Sequence, residues 1–170
     1  MTRTATKTPG TSTDGDKAKK AELKAVQAAL AAEHAAVYGY GVVGGRIREG
    51  RSDDARSAYD AHRARRDELS RAVRDLGGRP EPSAAAYALP FPVPDAAAAA
   101  RLAADLEERI AGVYADLVRA SGGERRRAAA DALRDAAVRA VRWRGGSVAF
   151  PGLAERAGTP DPEATTTPQT

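Results

Sequence analysis

Apolar residues recur every three or four positions in four segments of the chain, a spacing typical of helices that bury one face. We expect the first helix to begin near Asp16, as its N-cap, and to end at about Arg48. The stripe of this helix consists of Leu23, Val26, Leu30, Glu33, Val37, Tyr40, Gly44 and Ile47. The alternating spacing predicts a helix that packs in a bundle.

The second helix is predicted to begin with Ser52 as its N-cap and to stop at Gly77 and Gly78. The residues on its stripe are Ala55, Tyr59, His62, Arg66, Leu69, Val73 and Leu76. Only a few residues separate this helix from the first. The two helices are therefore predicted to form an antiparallel hairpin.

A second hairpin is predicted in the other half of the chain. Its first helix begins with Asp95 as N-cap and continues to Ser121, and its second opens with the capping-box pattern Ser121 to Glu124 and ends at Gly145. The stripes are Leu102, Leu106, Ile110, Val113 and Leu117 in the third helix, and Ala129, Leu133, Ala136, Ala140 and Trp143 in the fourth. The short connection again makes the two helices antiparallel.

The two hairpins are joined by residues 77–94, which contain five prolines and cannot form an ordinary helix. A Pro-rich segment of this length reaches about 55 Å when extended, whereas the second helix is only about 36 Å long. The segment can therefore return along the whole bundle, with Tyr87, Leu89 and Phe91 holding it to the surface. We predict an all-α, ferritin-like four-helix bundle, two antiparallel hairpins joined by a long Pro-rich crossover.

The two ends of the chain lack any helical or strand periodicity. Residues 1–15 are rich in Thr and Gly, and residues 158–170 are rich in Thr and Pro. We predict that both are disordered tails and that the bundle domain spans 16–157.

Composition excludes several classes of function. The absence of cysteine rules out disulfides and thiol catalysis, and two histidines limit any histidine-rich metal site. No stretch approaches the ~20 apolar residues of a membrane span, and no signal peptide is recognisable, so we expect a cytoplasmic protein without a membrane partner. The 27 basic and 23 acidic residues alternate along the helices. This mixture indicates solvated helix faces rather than a nucleic-acid-binding surface.

Glu33 occupies a core position of the first helix, where a charge needs a partner. If the first turn is centred near Arg51, His62 lies level with Tyr40, about 10 Å along the bundle from Glu33, and Arg66 lies closer to Glu33. We therefore expect a Glu33–Arg66 ion pair within a buried polar network. The predicted members are Glu33, His62, Arg66, Tyr40 and Tyr59.

Two sequence segments in the first hairpin resemble a known family. EHAAVYGYGVVG (33–44) and YDAHRARRDEL (59–69) resemble an actinobacterial ferritin-like domain of uncharacterised function, and the resemblance covers about 20–155. It implies a ferritin-like fold but brings no assigned activity.

The ferritin-like resemblance raises the question of a di-iron centre. Such centres use a carboxylate from each of two helices and a Glu-x-x-His motif from each of the other two. Glu33, His62 and Glu107 are the candidate ligands, but Tyr59 stands where the Glu of the second helix is required. The inward stripe of the fourth helix offers neither a carboxylate nor a histidine, so we expect the di-iron site to be degenerate or absent.

Two functions remain open at this point. The first is a non-enzymatic structural or interaction role, without a cofactor and as a homodimer. The alternative is a metal-binding protein or oxidase that holds iron or manganese with a non-standard ligand set. The sequence identifies neither a catalytic residue nor a small-molecule ligand.

Overall fold

The computed structural model describes residues 11–48 and 50–145. They form four helices, α1 (Thr11–Gly44), α2 (Ser52–Asp75), α3 (Ala96–Ala120) and α4 (Gly123–Arg144), and these residues contain no strand. The prediction of an all-α bundle of four helices is confirmed. No helix in this part of the chain is long and apolar enough to cross a membrane.

Two of the predicted helix ends are confirmed. Asp95 is the N-cap of α3, and its carboxylate accepts a hydrogen bond of 2.8 Å from the amide of Ala98. Helix α4 ends at Gly145, whose φ of 80° is the left-handed conformation that glycine adopts without strain. Both ends follow from the capping chemistry of single residues.

Two further ends agree with the prediction, since α2 stops at its C-cap Leu76, directly before Gly77, and Ser121 is the C-cap of α3. Both ends of α1 differ from it. Helix α1 already includes Thr11, so Asp16 is not its N-cap, and it ends at Gly44 rather than Arg48. Residues 11–15 of the predicted N-terminal tail are therefore helical. The rest of that tail (1–10), the C-terminal tail (158–170) and the predicted domain end at 157 lie outside the described residues.

The serine caps are also wrong. Ser52 is the first helical residue of α2, and Arg51 precedes it as an N-cap without a side-chain hydrogen bond. Gly122 is the N-cap of α4, again without one. The Ser121 hydroxyl instead donates a hydrogen bond of 2.6 Å to the carbonyl of Leu117, at the end of α3. It is therefore not available for a capping box.

Contacts between side chains show how the helices run. Tyr40 of α1 contacts Glu107 of α3, and Glu33 contacts Tyr114, so α1 and α3 are antiparallel. The hairpins α1–α2 and α3–α4 make α2 and α3 parallel. Helix α1 packs on α2 and α3, and α3 packs on α4.

The crossover runs beside α1 without a helix or strand of its own. The amide of Gln27 donates to the carbonyl of Arg79 at 2.7 Å, and Arg46 donates to the carbonyl of Val93 at 3.1 Å. Between these points the rings of Tyr87 and Tyr38 lie 5.5 Å apart, and Leu89 and Phe91 pack against the core. The predicted return of the chain along the bundle is confirmed.

The fourth side of the bundle, between α2 and α4, is less tightly packed than the others and is bridged by the ion pair of Arg65 and Asp135. No Cα atom of α2 lies within 8 Å of a Cα atom of α4. Two apolar clusters fill the interior on either side of a central polar region. Val26, Leu30 and Leu117 are fully or almost fully buried in one of them, and Tyr40, Leu102 and Trp143 in the other.

Two glycines should respond oppositely to substitution by alanine. A Cβ at the exposed Gly41 of α1 would meet nothing within 4 Å, whereas Gly77, just after α2, has a φ of +82°. We expect Gly41→Ala to raise the free energy of unfolding by up to about 1 kcal/mol. Gly77→Ala should lower it by about 1–2 kcal/mol because the left-handed conformation is strained with a Cβ. Chemical denaturation of both variants checks this, and a shift in the same direction for both would contradict it.

Candidate functional site

Six polar side chains meet in the middle of the bundle, and every helix contributes at least one of them. The members of this central cluster are Glu33 and Tyr40 from α1, His62 from α2, Glu107 and Tyr114 from α3, and Arg139 from α4. Glu33, His62 and Glu107 are each 0% exposed. Charged side chains are almost never buried to this degree unless they are paired.

The imidazole of His62 lies between two carboxylates. Its Nδ1 is 2.7 Å from Oε2 of Glu33, and its Nε2 is 3.1 Å from Oε1 of Glu107. A neutral imidazole has one donor nitrogen and one acceptor nitrogen. With both glutamates ionised, and therefore acceptors only, the two contacts are satisfied together by a protonated His62 that donates to both.

The other three members donate further hydrogen bonds to the two glutamates, although Oε2 of Glu107 has no partner among the described residues. The hydroxyl of Tyr114 donates to Oε1 of Glu33 at 2.7 Å. The hydroxyl of Tyr40 and Nε of Arg139 both donate to Oε1 of Glu107, each at 2.6 Å. Two carboxylates are thus balanced by an imidazolium and a guanidinium, and the cluster as a whole is neutral.

Packing also holds the imidazole in place. The ring of Tyr40 stacks on the ring of His62, with centroids 5.2 Å apart. The ring of Trp143 of α4 lies 6.4 Å from that of Tyr40. The position of His62 is therefore fixed by two hydrogen bonds and one aromatic neighbour.

The hydrogen bonds and charges around His62 and Glu107 shift the pKa values of both side chains in the direction that favours their charged forms. Burial alone would lower the pKa of His62, but hydrogen bonds to Glu107 and Glu33 outweigh it and raise the pKa above its ordinary 6.5. Burial alone would raise the pKa of Glu107, but His62 and Arg139 hold it below its ordinary 4.5. The pKa values of the Tyr40 and Tyr114 hydroxyls are raised by burial and by the neighbouring glutamates. Both tyrosines therefore remain donors.

The structure brings together only some of the predicted network. Glu33, Tyr40 and His62 lie in the central cluster, and so does Glu107, which was a candidate metal ligand. The Glu33–Arg66 ion pair is wrong, because Arg66 bonds to the carboxylate of its neighbour Asp67 at 2.8 Å.

Tyr59 does not join the cluster either. Its ring packs against the core near Tyr40, and the guanidinium of Arg63 lies 5.7 Å above it. No hydrogen bond connects Tyr59 to the central cluster in the described chain. Its place on the stripe of α2 reflects packing rather than polar contact.

Arg139 and Tyr114 are the members that the sequence interpretation missed. The mixed charges along the helices gave no reason to single out Arg139, yet it lies three residues after Ala136 and four before Trp143, both buried. Tyr114 likewise lies between the buried Ile110 and Leu117 at helical spacing. That spacing was the available signal.

The geometry does not fit a di-metal centre. His62 separates Glu33 from Glu107, since each carboxylate faces a different ring nitrogen. The guanidinium of Arg139 occupies the side of Glu107 from which α4 would have to supply a ligand. Within 11–48 and 50–145, no group of three or more His, Asp or Glu side chains is arranged to hold a metal ion.

Both a family of proteins and a solved structure are similar to this chain. Residues 25–155 match the family described as "Domain of unknown function (DUF4439)". None of the curated proteins matches this chain. The crystal structure of a conserved hypothetical protein, rv2844, from Mycobacterium tuberculosis is similar, with 37% sequence identity and a TM-score of 0.72, covering 74% of this chain and 96% of that one.

The family match extends over the C-terminal part of α1 (25–44) and all of α2, α3 and α4. It therefore contains every residue of the central cluster. The chain belongs to the DUF4439 family.

Proposed function

We propose that this protein is a ferritin-like bundle in which a neutral ion-pair cluster replaces the di-metal centre, and that its role is a non-enzymatic structural or interaction role. The observation that carries this proposal is the position of His62. Its two nitrogens face two different carboxylates, at 2.7 Å and 3.1 Å. A protonated imidazole has no free lone pair for a metal ion.

The fold supports the ferritin-like assignment. Two antiparallel hairpins joined by a long crossover are the arrangement of ferritin-like bundles, and the metal ligands of such proteins project inward from all four helices. Here all four helices also send polar side chains to the centre, but α4 sends Arg139. A guanidinium carries a fixed positive charge and cannot act as a ligand.

Burial of the cluster supports a role other than catalysis. Glu33, His62 and Glu107 are 0% exposed. A general acid or base must come within hydrogen-bond reach of its substrate, and these side chains are sealed from solvent and hydrogen-bonded to one another. The cluster thus fixes the relative positions of the helices, and the surface of the bundle is left for binding. Association into a homodimer remains a prediction, which light scattering of the full chain tests.

Metal content tests the proposal directly. Untagged protein is incubated with Fe²⁺ or Mn²⁺ without oxygen, desalted and analysed for metal, beside the Glu33→Gln variant and the surface control Glu108→Gln. We expect all three proteins to retain much less than one ion per chain. Stoichiometric iron or manganese that is lost only in Glu33→Gln would refute the proposal and favour the metal-binding alternative.

A further inference from the structure

A groove of about 560 Å³ runs along the outside of the first hairpin, between the end of α1 and the first half of α2, here called the α1–α2 groove. Gly41 and Gly44 line it from α1, and a Cβ at either position would meet nothing within 4 Å. The half-buried ring of Tyr59 lines it from α2. The groove is therefore a recess beside an aromatic side chain that the core buries only in part.

Four charged side chains of α2 also line the groove, and their signs alternate along the helix. The members of this charged stripe are Asp53, Arg56, Asp60 and Arg63. Intervals of three, four and three residues place them on one face of the helix, and all four are exposed. The ion pairs that α2 forms among the described residues all use other side chains. The charged stripe is thus available to a partner.

The order of signs in the charged stripe is complementary to itself when it is read backwards. If two α2 helices pack antiparallel about a two-fold axis at Ala58, position 53 of one copy faces position 63 of the other, and position 56 faces position 60. Every aspartate then faces an arginine. In a parallel pair each side chain would face its own copy, and like charges would repel. The axis also coincides with the middle of the groove, whose α2 wall spans 52–63.

We propose that the α1–α2 groove is the interface with a second copy of this chain, packed antiparallel on α2 about a two-fold axis at Ala58. Tyr59 is one residue from this axis, so the two tyrosines lie at the centre of the interface and the charged stripes lie around them. Interfaces commonly combine central aromatic anchors with a polar rim. A second copy is the partner that supplies the matching order of signs by symmetry alone.

The inference rests on the proposed structural or interaction role and names the partner. The two can fail separately. A monomeric chain that retains no metal refutes the dimer and leaves the metal-free role standing. A dimer that retains stoichiometric iron or manganese refutes the metal-free role and leaves the dimer standing.

Charge reversal across the two-fold axis tests the proposal, with the dissociation constant of the full-length dimer measured by analytical ultracentrifugation. Asp53→Arg and Arg63→Asp each create two pairs of like charges in the dimer, and each should raise the dissociation constant at least about tenfold. The double variant Asp53→Arg/Arg63→Asp restores both pairs with their signs exchanged, so its dissociation constant should return to that of wild type. Arg56→Asp, Asp60→Arg and their combination repeat the test independently on the inner pair.

Two charge reversals on α4 are the matched controls. Glu124 is exposed in the first turn of α4, as Asp53 is in α2, so Glu124→Arg loses the same interaction with a helix N-terminus. Arg127 is also exposed on α4, and Arg127→Asp makes the same change of charge as Arg63→Asp. Both controls should leave the dissociation constant unchanged, and circular dichroism should show the helix content of wild type in every variant.

Three results would overturn the proposal. The first is a wild-type chain that is still monomeric at about 1 mM. The second is a dimer that the single reversals on α2 weaken no more than the controls on α4 do. The third is a double variant as weak as its single variants, since the two copies would then meet in another register or through another face.

Discussion

Replacing Glu107 by alanine is expected to lower the free energy of unfolding by about 3–5 kcal/mol, the usual result of removing one partner from a buried ion pair. Glu107 accepts hydrogen bonds from Tyr40, His62 and Arg139. Without it, three donors lose their acceptor, and two cations lose a counter-charge. Urea denaturation near neutral pH measures the effect. The comparison is valid when wild type and variant have the same m value, the slope of the unfolding free energy against urea concentration.

The neighbouring residue provides a matched control. Glu108 also pairs with an arginine of α4, Arg144, but its side chain is 43% exposed. Exposed pairs contribute at most about 1 kcal/mol, so Glu108→Ala should have a small effect. Equal losses in the two variants would contradict the assigned role of Glu107.

A double-mutant cycle on Glu107 and Arg139 isolates the interaction energy between these two side chains from their contacts with other residues. Arg139→Ala should cost less than Glu107→Ala, because Arg139 is 18% exposed and Glu107 keeps His62 and Tyr40 as donors. The double variant should cost less than the sum of the single variants, with a coupling of about 0.5–3 kcal/mol. Additive effects would show that the two side chains act independently.

The number of helices and their connections could be predicted because they depend on local features. Five prolines prevent a helix between Gly77 and Pro94, and Asp95 caps α3 in the way its chemistry requires. Ser52 and Ser121 were less informative. A serine between two helices can cap the start of the second one, or its hydroxyl can donate a hydrogen bond to a carbonyl at the end of the first one. Ser121 does the latter.

The central cluster could be predicted only in part. Helical spacing places Glu33, Tyr40 and His62 on inward stripes, but it does not say how far a long side chain extends along the bundle. Backbone rise predicts that the levels of Glu33 and His62 differ by about 10 Å, whereas their side chains lie 2.7 Å apart in the structure. The stacking of Tyr40 on His62 agrees with the predicted levels.

The spacing of residues along the helices could not show which arginine pairs with a buried glutamate. Arg66 lies on the predicted stripe of α2 but reaches Asp67 beside it. Arg139 of α4 reaches the interior from a partly exposed position, because its long stem lets the charged group lie far from its Cα. An arginine at the edge of a stripe can therefore serve either the core or the solvent.

Replacing His62 by glutamine is expected to cost about 3–5 kcal/mol at about pH 6, and this cost should depend on pH. Burial opposes the charge of His62, but Glu107 and Glu33 raise its pKa above 6.5. Its contribution to stability is therefore complete below pH 6.5 and is lost as the pH rises through the higher pKa of the folded state. Glu107, whose pKa is lowered, contributes above pH 4.5 and loses its contribution as the pH falls. The difference between wild type and His62→Gln should thus be largest between pH 4.5 and 6.5.

The second histidine of the chain makes the control. His34 faces the backbone carbonyl of Glu81 at 3.3 Å rather than a carboxylate, so His34→Gln should leave the pH dependence of wild type unchanged. Denaturation curves across neutral and alkaline pH should show wild type and His34→Gln losing stability together as the pH rises, while His62→Gln changes much less. A constant difference between wild type and His62→Gln would mean that His62 is not protonated between its two carboxylates. In that case a lone pair of its imidazole would be available, and the reason for excluding a metal ion from the centre of the bundle would no longer hold.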